Sequence, residues 1–312
     1  MTPVYIGIDG GGTKTNAVAL DRDGTQLTQA TGGGMNYNFI PLDDAVDNLC
    51  GVIRRLAAGL ENGGFKIMAC ALGDSSADDE APHKLSGDFV HKFREKAGIG
   101  FDVPILIKSD VFMSLYGLTG GAPGVLVVGG TGSMGIGVDR EGRIFTAGGW
   151  GAPGTDPGSG YDIAVRALEA VFSYADGIGP PTALTDEAFR FFGAAKPREL
   201  ISVFNGGNCS RGDIASFAVK VSECARAGDK TAASVVKKAG GALADYACSL
   251  IRRINCDGCI VGIYGGVFLH NAEVRKRFTR LVRRRYPDAR VGFPDIPPEV
   301  AAARYAIDNT DG

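Results

Sequence analysis

With 312 residues, 45% of them hydrophobic and 22% charged, the chain can bury the cores of one or two domains and falls outside the disordered class. A formal net charge of −2 supplies no overall basic field for nucleic acid, and no apolar run approaches the roughly 20 residues that span a bilayer. The opening Met1-Thr2-Pro3-Val4-Tyr5 has no basic and apolar leader pattern, and seven scattered cysteines suit reduced thiols, so a cytoplasmic protein is expected.

Residues 1 to 40 read as three strands. Apolar Val4–Ile8 leads into Asp9-Gly10-Gly11-Gly12-Thr13-Lys14-Thr15. Alternating Asn16–Leu20, the turn Asp21–Gly24 and a short strand Gln26–Ala30 follow. Glycines beside a hydroxyl and a lysine suggest a phosphate loop. A P-loop or dinucleotide fingerprint, however, must open a helix, whose N-terminal amides hold the phosphate. This loop opens a strand and fails the GxxxxGK[ST] spacing.

Leu42–Glu61 has helical spacing, with Leu49, Ile53, Leu56 and Leu60 on one face. Next come a strand Lys66–Leu72, a helix Ser86–Ala97 stopped at Gly98, a strand Val103–Ile107 and a helix Asp110–Leu118. Thr119–Gly124 is a glycine-rich candidate hinge. Beyond a second meander, Gly158–Tyr174, Gly212–Ala227 and Asp229–Ile254 read as helices. Ile260–Tyr264 reads as a strand, Asn271–Arg285 as a helix and Arg290–Phe293 as a strand. A last helix runs from Pro298 to Asp308. The class is α/β. Cys256-Asp257-Gly258-Cys259, a lone CxxC in a chain with three histidines, reads as structural rather than as a zinc site.

The phosphate loop occurs twice. Residues 11–24 (GGTKTNAVALDRDG) align without a gap on residues 129–142 (GGTGSMGIGVDREG), each after an apolar strand. A duplicated strand, loop and strand predicts two lobes whose hairpins grip one polyphosphate with backbone amides; two ordinary glycine turns are the alternative. On this alignment Asp9 corresponds to Val127, which gives the metal end of the nucleotide to the first copy alone. Asp110, at the end of a strand and the start of a helix, is either a general base or a helix N-cap.

The segments Gly7–Thr15, Ser109-Asp110, Gly129–Ser133, Gly148–Gly151, Asp156–Gly160 and Gly265–Phe268, taken in order, resemble the actin-like sugar-kinase superfamily. Within it they resemble the N-acetylglucosamine kinase branch, whose relatives include the ATPase activators of benzoyl-CoA reductase. The resemblance implies a two-lobed, ribonuclease H-like fold with an interlobe cleft. Residues 1–119 would form the N-terminal lobe, 120–297 the C-terminal lobe, and 298–312 a helix returning to the first. It implies phosphoryl transfer from ATP to a sugar hydroxyl, with Asp9 organising Mg2+ through water. Gly11, Gly12, Thr13, Lys14, Thr131, Gly132 and Ser133 would hold phosphate, and Gly265 and Gly266 would flank adenosine. Asn36, Ser76, Gly149, Trp150, Asp156 and Asp110 would hold the sugar, Asp110 also serving as base.

N-acetylglucosamine, phosphorylated on its 6-hydroxyl, is the expected acceptor, with glucosamine or N-acetylmuramic acid as alternatives. The other readings are an ATPase activator sharing an iron–sulfur cluster across a dimer, and a sugar sensor. The expected partners are the amino sugar, ATP and a second copy in a homodimer, with no nucleic acid and no membrane. Asp156-Pro157-Gly158-Ser159 departs from the Asp-Glu-Gly-Ser of the family, as do Gly73–Ala77 and Pro298–Ala301. The basic run from Arg275 to Arg285 reads as a solvated helix face, with an anionic partner as the alternative.

Overall fold

The structure is a computed structural model that describes residues 1–60, 64–77, 79, 84–97, 103–151, 156–205 and 209–310, with backbone alone at 84–86. Gly98, the expected helix stop, lies outside these residues. The chain divides into two compact units, Met1–Ala122 together with Pro294–Gly312, and Pro123–Phe293.

In the first unit, strands β1 (Thr2–Gly10), β2 (Lys14–Leu20), β3 (Gln26–Gly33), β4 (Phe65–Asp74) and β5 (Ile105–Ser109) form one sheet in the order β3-β2-β1-β4-β5. β1 runs antiparallel to β2 and parallel to β4, and β4 runs parallel to β5. Val4, Tyr5, Ile6 and Ile8 are all buried, which a central strand covered on both faces requires. Helix α1 (Leu42–Ala58) covers one face through Leu49, Ile53 and Leu56. On the opposite face the last helix of the chain packs across β1, β2 and β4, burying Ala303 against Val18 and Leu20. Gly7 permits this packing, since a Cβ there would lie 2.0 Å from the Glu299 carbonyl oxygen and 2.2 Å from the Ala303 nitrogen. Helices α2 (Lys84–Ala97) and α3 (Asp110–Thr119) complete the unit.

The second unit repeats the plan. β6 (Gly124–Gly129), β7 (Ser133–Val138), β8 (Ile144–Gly148), β9 (Ile260–Tyr264) and β10 (Arg290–Gly292) form a sheet in the order β10-β9-β6-β7-β8, with the same parallel and antiparallel pairings. Its helices are α4 (Gly160–Ala175), α5 (Leu184–Phe192), α6 (Pro197–Asn205), α7 (Arg211–Ser216), α8 (Ala218–Arg226), α9 (Lys230–Arg253), α10 (Gly266–His270) and α11 (Ala272–Arg285); the first unit's last helix, Pro298–Thr310, is α12. α9 lies along β6, β7 and β8 and packs against α4, α8 and α11.

The duplication extends into the hairpin turns. Asp21 Oδ1 accepts from the Asp23 and Thr25 amides at 3.0 and 2.8 Å. Asp139 Oδ1 accepts from the Glu141 and Arg143 amides at the same distances. The loops themselves differ, which corrects the gap-free alignment. The first closes on the pair Gly10–Thr15 and the second on Gly129–Ser133, so the second is one residue shorter. Asp9 pairs with Asn16; the counterpart of Asn16, Met134, pairs with Val128. The apolar counterpart of Asp9 is therefore Val128, not Val127.

Other boundaries move for local reasons. α1 stops at Ala58 because the Gly59 amide caps it on the Arg55 and Leu56 carbonyls; Glu61 lies outside the described residues. β5 begins at Ile105, after Pro104, which has no N–H to give to a ladder. The expected helix Gly212–Ala227 is two helices, α7 and α8, divided at buried Phe217, whose amide turns back to Ile214. α5 and α6 had no counterpart in the sequence reading.

Adjacent glycines of α9 test the packing. A Cβ at Gly240 would meet Arg277 Cβ and the Val274 carbonyl oxygen, each at 2.9 Å, while Gly241 has nothing within 4 Å. Gly241→Ala is expected to stabilise the protein by about 1 kcal/mol and Gly240→Ala to destabilise it by about 1–3 kcal/mol. Urea unfolding of the two variants checks this; equal effects would refute the close approach.

Candidate functional site

The parallel strands β1, β4 and β5 end in one row. Gly10 is beside Asp74, which is beside Ser109; one step back Asp9, Gly73 and Lys108 are aligned. Loops at this carboxyl edge are where an open α/β sheet collects its functional groups. The glycine loop lies there and is internally fixed. The Gly11 amide donates to the Lys14 carbonyl at 3.0 Å, and the Met35 amide to the Gly11 carbonyl at 3.0 Å. Gly34 makes that contact possible, since a Cβ on it would fall 2.2 Å from the Gly12 carbonyl oxygen. Gly12, Thr13 and Lys14 remain exposed.

Asn36 and Ser76 are buried beside this loop. Asn36 Nδ2 donates to Ser75 Oγ at 3.0 Å and its Oδ1 accepts from the Asn38 amide at 3.0 Å. The Ser76 amide donates to Asp74 Oδ1 at 2.8 Å, and the Tyr37 hydroxyl donates to Asp74 Oδ2 at 2.7 Å. Asp110 is the first residue of α3, but it is not the N-cap. Ser109 is, accepting from the Phe112 amide at 3.0 Å. Asp79, which the sequence reading passed over, holds Ser109 through its amide at 3.0 Å and its hydroxyl at 2.5 Å. Asp110 itself accepts from the Val111 amide at 2.8 Å, and among the described residues no other side chain hydrogen-bonds to its carboxylate.

The edge is rich in uncompensated negative charge. Burial, then the charges of Asp110 and Glu299, push the Asp9 carboxyl up to about 7, with Lys14 opposing them. Burial first, and then Asp74 and Asp79, raise Asp110 against its bond from Val111. Glu299, on α12, is the other group the sequence reading missed; it is near Asp9 only because α12 lies on Gly7. This donor set suits a hard cation, which would relieve the charge and typically takes one or two carboxylates with several waters.

In the second unit the loop Gly130-Thr131-Gly132 is held by the first turn of α4. The Gly160 amide donates to the Gly130 carbonyl at 2.8 Å and the Tyr161 amide to the Thr131 carbonyl at 3.3 Å. Thr131 is exposed, whereas Ser133 is buried and donates to the Pro157 carbonyl at 3.0 Å. Gly149 has φ +76° and bonds its amide to the Ser133 carbonyl. Trp150 is 78% exposed, so it is not a core residue. Asp156 is buried and ion-paired to Arg211, whose guanidinium stacks over Tyr161; the Asp156 Oδ1 is buried with no partner among the described residues. Gly132 fits against this pair, since a Cβ there would be 2.7 Å from Asp156 Oδ2.

A cavity of about 390 Å³ opens beside this loop, lined by Gly130, Thr131, Gly212, Ser216, Gly266 and His270 among others. Gly266 lines it. Gly265, with φ +95°, instead lets β9 close onto Gly129, whose carbonyl oxygen would be 2.5 Å from a Cβ. Gly212, Ser216 and His270 belong to no motif and come together only through the packing of α7, α8 and α10.

The sequence profile of the BadF/BadG/BcrA/BcrD ATPase family matches residues 6–304. The chain belongs to that family. A Dictyostelium discoideum protein named N-acetyl-D-glucosamine kinase is 29% identical over 318 residues, covering 98% of each chain. A Clostridium acetobutylicum N-acetylmuramic acid/N-acetylglucosamine kinase is 25% identical, covering 92% of each. The crystal structure of a presumed N-acetylglucosamine kinase from Chromobacterium violaceum superposes with a TM-score of 0.73 at 25% identity, covering 96% of this chain and 97% of that one. This ATPase-family member therefore has the α/β fold of the actin-like sugar kinases, as its sequence motifs implied. No described helix is long and apolar enough to cross a membrane, and among the described residues no three His, Cys, Asp or Glu side chains form a metal-binding group.

The Asp9 environment predicts a pH dependence. Unfolded, the group ionises near 3.8; folded, near about 7. Folding therefore takes up a proton between those values, and stability falls as pH rises through the window. Asp9→Asn should stabilise the metal-free protein most at pH 8, the gain shrinking toward pH 5. Urea unfolding at both values measures it; a gain independent of pH would contradict the assignment.

Proposed function

We propose that the chain is an ATP-dependent amino-sugar kinase that phosphorylates N-acetylglucosamine on its 6-hydroxyl. The observation that carries this reading is the strand edge of the first unit. There Asp110, held at the start of α3 by Ser109 and Asp79, presents a carboxylate of raised proton affinity next to a phosphate-type loop. The names of the relatives point the same way.

Asp110 accepts the proton of the acceptor hydroxyl, and its raised pKa makes it a stronger base than an ordinary aspartate. Asn36, fixed by Ser75, and Ser76 orient the sugar. Trp150, with its indole exposed, offers an apolar face to the ring, and Gly149 shapes the loop that carries it. Asp156 acts with Arg211 to brace Gly132. The backbone amides of Gly12, Thr13, Thr131 and Gly132, with the Lys14 ammonium, bind phosphate oxygens, while Gly11, bonded through its amide to Lys14 and through its carbonyl to Met35, shapes the loop. Ser133, donating to Pro157, serves the loop's shape. The cavity beside Gly266 takes the adenosine. Asp9 would hold Mg2+ through water, and the ion, bound with ATP, would supply neutralisation of phosphate charge. The seven free cysteines fit a cytoplasmic protein, and a homodimer with no nucleic-acid or membrane partner completes the proposal.

Asp110→Asn should fold, bind ATP and lose transfer by roughly 10²–10⁴-fold, measured as phosphorylated product by mass with Mg-ATP and N-acetylglucosamine, glucosamine and N-acetylmuramic acid. Undiminished product would remove Asp110 from the mechanism, and no product from any of the three would remove the amino-sugar assignment. N-acetylglucosamine should also change Trp150 emission, the single tryptophan; a spectrum indifferent to every sugar would take Trp150 out of the site.

A further inference from the structure

We propose that the groove between α8, α9 and α11 binds a small phosphate ester. The groove holds about 610 Å³, within the range of small-molecule pockets, and shares no lining residue with the cavity beside Gly266. Five cations, Arg226, Lys237, Lys276, Arg277 and Arg280, line it against one carboxylate, Glu273. Glu273 is bound to Lys276 at 2.8 Å, and Glu223 on α8 to Lys220 at 2.8 Å. Arg226, Lys237, Arg277 and Arg280 form no ion pair among the described residues. In a chain of net charge −2 this is a local concentration, not a sample of a basic surface.

Arg277 carries the argument further. The approach of α11 to Gly240 presses its stem against α9, and its Nε is buried with no acceptor among the described residues. A desolvated donor left unbonded is costly, and an oxyanion meets a guanidinium through paired hydrogen bonds. Cations from three helices line the groove together with Ala225, Ala233 and Val236. A carbon skeleton bearing a dianionic phosphate matches both the apolar and the cationic lining.

The test loads the protein with Mg2+ and a non-hydrolysable ATP analogue, so that the nucleotide site is filled, and titrates it calorimetrically with glucosamine 6-phosphate, inorganic pyrophosphate or a DNA duplex. The ester should bind one further equivalent, more tightly than pyrophosphate. Arg277→Gln/Arg280→Gln should weaken it by about tenfold or more, with nucleotide binding and melting temperature unchanged. Arg280 is exposed, so Arg280→Gln alone serves if the double variant does not fold. Absence of a further equivalent, or binding that the substitutions leave unchanged, would overturn the proposal. So would pyrophosphate or the duplex binding more tightly than the ester.

Discussion

Negative charge gathered at one strand edge, with little to balance it, is the constraint around which the first unit is arranged. Burial raises the cost of ionising Asp9, and the charges of Asp110 and Glu299 add to it; burial does the same at Asp110, with Asp74 and Asp79 adding theirs. Close packing and hydrogen bonds around the edge hold these groups in place. Gly7 admits α12 flat against β1, Gly34 admits the glycine loop, and Ser109 and Asp79 fix the first turn of α3. An edge so built is a poor resting place for carboxylates and a good one for a cation with its phosphates. Its strain is of the kind that functional sites retain at the expense of stability.

The two sheets show how one plan yields two different tools. Strand order, pairing and even the aspartate-held hairpin turns are the same in both. The differences lie in the loops. The first is a residue longer, exposes a lysine and follows a carboxylate. The second follows Val128, and its carbonyls are taken up by the opening amides of α4. Gly132 then rests on the buried Asp156–Arg211 pair, and Thr131 stays exposed.

Much of this was legible in the residues. The glycine loop opening a strand excluded the helix-forming phosphate motifs, the hairpin repeat foretold two similar sheets, and most helices and strands fell within a few residues of their expected limits. Local signals carry that information: apolar period, glycine and proline. What stayed hidden depends on contacts distant in sequence. The register that moves the counterpart of Asp9 from Val127 to Val128 is a property of pairing, invisible to a gap-free alignment. Glu299 reaches Asp9 across nearly the whole chain, and Asp79 reaches Ser109 across thirty residues. Gly212 and Ser216 meet His270 only through helix packing. α5 and α6, nine residues each, are too short for period alone to reveal.

The way the chain is threaded has a consequence for its birth on the ribosome. The first unit is built from both ends of the polypeptide, while the second lies wholly between them. Synthesis therefore delivers every residue of the later sheet before α12 emerges to cover Val18 and Leu20. At roughly 5–20 residues per second, the apolar back of β1 and β2 waits for about 14 to 56 seconds without its lid. The first unit therefore completes its packing only after the second has been made, whatever the order in which its own strands emerged.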